Sequence, residues 1–158
     1  MDKSIITPIE AKQKLERYCA YQDRCHNEVI AKLRNLGQSS SDIDEIVVHL
    51  IAHNFLDEER FARSFARGKH RIKFWGKVRI VNELKARSIS APNIKLALTE
   101  ISDDDYLHAF ESISNRIWDS ITETSQLKKR KKFCDYLLRK GYESHLVYEK
   151  VRELEKEQ

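Results

Sequence analysis

The sequence predicts an all-α protein made of three tandem three-helix repeats that form an elongated, curved array, and three observations carry that prediction. Apolar residues recur at helical spacing along most of the chain. Its 158 residues include only 4 Gly and 2 Pro, too little turn chemistry for a sandwich or barrel. A hairpin pattern also returns with a period near fifty residues. When EVIAKLRNLG, RIVNELKARS and KFCDYLLRKG are aligned, Gly37, Ser88 and Gly141 coincide, 51 and 53 residues apart (37 to 88, 88 to 141). Val29, Ile80 and Phe133 then stand eight residues before the anchor, and Leu33, Leu84 and Leu137 four before it. Ile43, Ile94 and Val147 follow six residues after it, Val47, Leu98 and Val151 ten after, and Leu50, Ile101 and Leu154 thirteen after. Every one of these positions is apolar.

The elements follow in order. Thr7-Pro8 supplies a cap and a proline at the first helical position for a helix reaching about Tyr21, with Ile9, Leu15 and Tyr18 inward. Val29, Ile30, Leu33 and Leu36 mark a second helix, ended by Gly37. Ser39-Ser40-Ser41-Asp42 can cap a third, carrying Ile43, Ile46, Val47, Leu50 and Ile51. The remaining two periods have the same plan, with leading helices over 57–72 and 103–121. Ser102 to Asp105 is a helix start, where carboxylates favour the positive end of the helix dipole. The expected repeats are 1–55, 56–101 and 102–158. Each buries little alone and leans on its neighbours.

Charge is unevenly placed on a chain of net charge +4. From Arg60 to Arg87 there are ten Lys or Arg against one acid, Glu83. From Glu100 to Glu123 seven acids face one base, Arg116, and from Lys128 to Lys140 seven bases face one acid, Asp135. Two basic zones flanking an acidic one speak of partners more than of fold. On a helix starting near Asp57, Phe61, Ala62, Phe65 and Ala66 fall on one face, and Arg60, Arg63, Arg67 and Arg71 on the opposite one. Arg63, Arg67 and Arg71 are consecutive i,i+4 neighbours with no acid between them, which an ordinary solvated face avoids. Lys69, Lys73, Lys77 and Arg79 extend the zone around Phe74 and Trp75. Arginine suits bidentate pairing with carboxylate or phosphate. Trp75 reads as interior packing, with capping a hairpin beside Gly76 or stacking on a partner as the other readings. In LKKRKKF, Lys128, Lys129 and Arg130 open a run of bases at a helix start, the end the dipole disfavours for cations.

Other chemistry is weakly supported. His49, His53 and Asp57 share a spacing that could place metal ligands on one helical face, but the helix ends near His53, so packing or capping is the better reading. Cys25 and His26 point about 100° apart on a helix and cannot readily pair. No phosphate loop, Gly-x-Ser-x-Gly or His-Glu-x-x-His motif occurs, so neither an enzyme nor a cofactor is expected. Cys19, Cys25 and Cys134 suggest no disulfide framework. The amino terminus MDKSIITPIEAKQ lacks the apolar core of a signal peptide, and no apolar run reaches transmembrane length. The expectation is a cytoplasmic monomer with reduced thiols and no membrane contact.

FLDEERFARSFARGKHR, Phe55 to Arg71, followed by Gly76 and RIVNEL, Arg79 to Leu84, is similar to the signature of the RecX family of bacterial regulatory proteins. Leu56, Asp57, Glu58, Arg60, Phe61 and Ala62 match its leucine-aspartate-acid-x-Arg-Phe-Ala segment. The chain departs at Ser88, where the family pattern has a Lys-Gly-Ile-like helix end, and Phe74-Trp75 is unusually aromatic. The resemblance implies three tandem three-helix repeats. It also implies binding to the recombinase RecA, or to its filament on DNA, with ATP hydrolysis, strand exchange and filament growth restrained. A positively charged concave face able to touch DNA, single- or double-stranded, is implied too. Carried onto this chain, that face includes Arg60, Arg63, Arg67, Arg71, Lys73, Lys77 and Arg79. The alternatives are a stand-alone helical DNA-binding protein and a helical adaptor for another acidic protein.

Overall fold

The computed structural model describes residues 6–158, among which are nine α-helices and no strand. The reading of residues 1–5 as part of a leaderless amino terminus lies outside the described residues. The helices are α1 (Pro8–Tyr21), α2 (His26–Asn35), α3 (Ser40–Ala52), α4 (Glu58–Lys73), α5 (Lys77–Ala86), α6 (Ala91–Leu98), α7 (Asp103–Ser120), α8 (Gln126–Lys140) and α9 (Ser144–Lys156). They pack in consecutive threes, α1–α3, α4–α6 and α7–α9. The leading helix of each unit begins with a side-chain cap, which satisfies an amide the helix itself cannot. Thr7 accepts from the Glu10 N–H, Asp57 from Arg60 and Ser102 from Asp105.

The repeat is geometric as well as compositional. Gly37, Ser88 and Gly141 all have left-handed φ, at +76°, +60° and +99°. After each anchor the next amide reaches back to the same carbonyl: Gln38 to Leu33, Ile89 to Leu84 and Tyr142 to Leu137, at 3.1 to 3.2 Å. This is the closure that ends a helix through a left-handed residue. Glycine adopts that φ freely, whereas Ser88 does so at a steric cost. Thirteen of the fifteen aligned apolar positions are buried; Val47 and Leu98 are half-buried. The position nine residues after the anchor is also buried in every unit, as Ile46, Ala97 and Lys150.

Two assignments within the first unit are corrected. Ile9 is 67% exposed and Ile51 46%, because the inward stripe of α1 is Ala11, Leu15 and Cys19, and that of α3 is Ile43, Ile46 and Leu50. Tyr18 is half-buried, under the Arg24 guanidinium at 3.7 Å from its ring centre.

The first unit closes on its own core of Ala11, Leu15, Cys19, Val29, Leu33, Ile43, Ile46, Leu50 and Leu56. The second and third share one continuous core, running from Ala62, Ala66, Ile80 and Leu84 to Phe110, Phe133, Leu137 and Val151. Backbone chemistry joins these two units. Helix α5 has no side-chain cap, and the third unit caps it instead. The Gly76 and Val78 amides donate to the carbonyls of Lys140 (2.8 Å) and Gly141 (2.9 Å), and the Lys77 amide donates to the Tyr106 hydroxyl (3.0 Å). Tyr106 in turn donates to Glu143 at 2.8 Å. The start of α5 thus meets the end of α8, positive dipole end to negative. Gly76 and Gly141 make this approach possible, since a Cβ on Gly76 would overlap the Gly141 carbonyl, and one on Gly141 would overlap Arg79.

Candidate functional site

The basic surface is built on α4. Asp57 caps the helix, with Glu58 and Glu59 in its first turn, where the dipole favours acids. Phe61, Ala62, Ala66 and His70 are buried, while Phe65 is only half-buried. The core-facing sector is therefore rotated toward His70 from the Phe61–Phe65 face expected from a helical wheel. Arg63 consequently borders that sector, and Arg60, Arg63 and Arg67 reach neighbouring elements, whereas Arg71 is exposed.

Three of the four arginines have partners inside the chain. Arg60 donates to Asp23 at 2.7 Å and to the carbonyls of Asn54 and Phe55. Arg63 and Arg67 converge on one carboxylate, Glu100, at 3.3 and 3.1 Å, and Arg63 also approaches Glu59 at 3.8 Å. The hydrogen bond from Arg63 and the charge of Arg67 hold the Glu100 carboxyl below its ordinary range. The sequence shows no acid between these arginines, but Glu100, thirty-three residues after Arg67 (67 to 100), supplies one. Arg71 alone of the four has no carboxylate within 4.0 Å among the described residues.

Past Arg67 the surface is uncompensated. Among the described residues no carboxylate lies within 4.0 Å of Lys69, Lys73, Arg79, Arg139 or Lys140. These five form a connected patch. Trp75 lies between Lys69, whose amine is 5.0 Å from the ring centre, and Arg79, whose guanidinium is 4.1 Å from it. Arg79 also donates to the Arg139 carbonyl, and the Lys140 amine to the Lys73 carbonyl at 3.0 Å. Trp75 is half-buried and edge-on to Phe65 at 6.0 Å, so it packs, and it also carries the chain's own cations over its ring. Lys77 belongs to the unit joint, 3.7 Å from Asp103 and 4.6 Å from the Tyr106 ring centre.

The second basic zone divides along α8. At its start Lys129 lies 4.1 Å from the Trp118 ring centre and Arg130 pairs with Glu155 at 3.7 Å; Lys131 pairs with Asp135, and Lys132 with Glu123. Lys128 is exposed. Those contacts offset the cost of bases at a helix start. At the far end, about 18 Å along the axis at 1.5 Å per residue, Arg139 and Lys140 meet the second unit. Only that end joins the α4 patch.

The comparisons with known proteins agree with this architecture. Residues 57–98, covering α4 to α6, match the family model described as RecX, second three-helix domain. The regulatory protein RecX of Clostridium acetobutylicum is 26% identical over 91% of this chain and 68% of its own length. That of Herminiimonas arsenicoxydans is 24% identical over 91% and 92%. Against the Lactobacillus gasseri protein identity is 30%, with the chain spanning about half, 53%, of that relative. A crystal structure of RecX from Lactobacillus salivarius superposes with a TM-score of 0.77 at 23% identity, covering 94% of this chain and 96% of that one. Over most of its length the chain is similar to RecX regulatory proteins, and its second unit matches their second three-helix domain.

Elsewhere in the chain the other candidate groups have structural work. Cys25 begins α2 and is fully buried in the core of the second and third units, and burial pushes its thiol above the usual range. His49 meets Glu16 at 2.8 Å and stacks on His53, and Asp57 is a cap. Sequence reasoning missed Glu100, Arg139 and Lys140 as parts of this basic surface. The one available signal was the repeat itself, because Lys140 precedes the Gly141 anchor that meets Gly76.

Proposed function

We propose that this protein regulates the recombinase RecA by binding RecA or its DNA filament, restraining ATP hydrolysis, strand exchange and filament growth, with no catalytic chemistry of its own. The reading rests on similarity to RecX proteins together with one observation: five clustered cations, Lys69, Lys73, Arg79, Arg139 and Lys140, with no carboxylate among the described residues within 4.0 Å. Isolated bases are cheap in water, but clustered ones repel each other, and an anionic partner relieves that. Arg71 borders the same region. Arg60, Arg63 and Arg67, engaged by Asp23 and Glu100, serve the fold first.

Titrating the purified protein into RecA-promoted, single-strand-dependent ATP hydrolysis tests the proposal. Inhibition at or below equimolar ratio is expected, and an unchanged rate throughout would sink it. Reversing Lys73, Arg79 and Arg139 to Glu should abolish the effect while helical circular dichroism is kept. Reversing Arg63 and Arg67 is a poor test, since it also breaks the Glu100 clamp.

DNA binding on its own is the second reading, and the cations beside Trp75 and Tyr136 favour it, because basic grooves with aromatic rings track nucleic acid strands. It predicts a log affinity for DNA alone that falls steeply with log salt, by about 0.9 per phosphate neutralised.

A further inference from the structure

Gly68 sits in the middle of α4, with a helical φ and exposed surroundings that ask nothing of a glycine. A Cβ built there meets no atom within 4 Å, unlike those on Gly76 and Gly141. Glycine inside a helix costs about 1 kcal/mol against alanine. The fold therefore pays for a feature it does not use.

Its surroundings say what the open space admits. One turn on, Ile72 is 75% exposed, and Gly68 and Ile72 share a shallow apolar depression with Phe65, the stem of Lys69 and Lys73. At the carboxyl end of α4 this depression opens onto the uncompensated cations; at the amino end the adjoining cleft mixes signs, with Asp23 and Glu28 of the first unit beside Lys69 and Arg87. Cations without acids are thus confined to one end of the face. Missing side-chain bulk lets two backbones approach closely, and an exposed isoleucine offers an apolar contact to the same visitor.

We propose that the outward face of α4 around Gly68 and Ile72 receives an acidic helical segment of a protein partner, its backbone packed against Gly68, its apolar side chain on Ile72 and its carboxylates toward Lys73, Arg139 and Lys140. The inference rests on the RecA-regulator reading and names the surface that reading uses. A phosphate backbone would profit from the cations and from Trp75 but gains nothing from Ile72, so a protein segment fits the whole face.

The experiment compares wild type with Gly68→Ala, Gly68→Leu and Ile72→Ser. Each is measured for binding to RecA without DNA, to RecA filaments on oligo(dT), and to oligo(dT) alone. Gly68→Ala and Gly68→Leu should raise the Tm by about 2–4 °C, since both replace an unneeded glycine with a better helix former. Gly68→Leu should nevertheless weaken RecA binding about tenfold or more, Ile72→Ser severalfold, and leave oligo(dT) binding unchanged. Unaltered RecA binding by both Gly68→Leu and Ile72→Ser overturns the inference and leaves the regulator reading standing. Parallel losses on oligo(dT) alone make the occupant nucleic acid and overturn the protein segment. Wild type that fails to bind RecA in either form overturns the regulator reading and this inference with it.

Discussion

The two joints between units are made of different material. Between the second and third units, backbone meets backbone: Gly76 and Gly141 allow three amides of α5 to be satisfied by the neighbour, and one apolar core runs through. Between the first and second units the cores are separate. The link there is an ion pair from Arg60 to Asp23, a hydrogen bond from Asn27 to Ser88, the buried Cys25 and the return of Leu56 to the first core. A joint held by backbone hydrogen bonds has few ways to yield short of unfolding, whereas the ion pair and side-chain hydrogen bond of the other can exchange their partners for water. The unpaired cations lie on the rigid joint, at the end of α4 and of α8. A surface drawn from two units keeps its geometry only if those units keep theirs.

Breaking the rigid joint should produce the largest effect. Gly76→Ala places a methyl group against the Gly141 carbonyl and is expected to lower stability by about 3 kcal/mol or more in urea unfolding. Hydrogen exchange should rise at the amides of residue 76, Lys77 and Val78, which donate across the joint, while the first unit stays protected. Tyr106→Phe is gentler. It removes the hydroxyl that accepts from Lys77 and donates to Glu143, leaving a partly buried amide unpaired, and should cost about 1–3 kcal/mol by the same measurement. On the polar joint, Asp23→Ala should cost about 0–1 kcal/mol because Arg60 is exposed and Asp23 half-exposed, yet it should loosen the first unit in small-angle scattering. A loss as large as that of Gly76→Ala would erase the contrast between the joints.

Ser88→Gly should change least and in the opposite direction. It relieves the left-handed strain, about 1 kcal/mol, against the loss of the Asn27 contact and a more flexible unfolded chain. The Glu100 clamp adds a pH dependence. Its folded carboxyl titrates below the unfolded one, so its stabilisation is present above the ordinary carboxylate range, near pH 4.3, and is lost as pH falls through the lowered folded value. Glu100→Gln should lower stability at neutral pH, leave the slope there unchanged, and flatten the profile in that acidic window.

Much of this was legible in the residues. Thr7, Asp57 and Ser102 announce helix starts because their side-chain oxygens suit a free amide, a local fact. The anchors at Gly37, Ser88 and Gly141 announce helix ends for the same kind of reason, and the apolar period between them names the core positions. Ile9 and Ile51 were misplaced because a wide apolar stripe does not say which edge its neighbours will cover. Lys150 was invisible as a core residue: its amine escapes to Glu111 at 2.7 Å and Glu153 at 3.7 Å while its stem fills the place of Ile46 and Ala97. The candidate surface was half legible. Charge density placed it near α4, but counting charges along the chain could not show which would be neutralised across it.

By itself, then, the sequence determined the helices, their caps, their three-fold repetition and the general place of the positive charge, all properties of residues a few positions apart. Only the tertiary structure decided that Arg63 and Arg67 belong to Glu100, that Arg139 and Lys140 join Lys69, Lys73 and Arg79, and that Gly76 and Gly141 touch while Gly68 stands open. Ion pairing and steric contact act over a few ångströms of space, and distance along the chain carries no record of them.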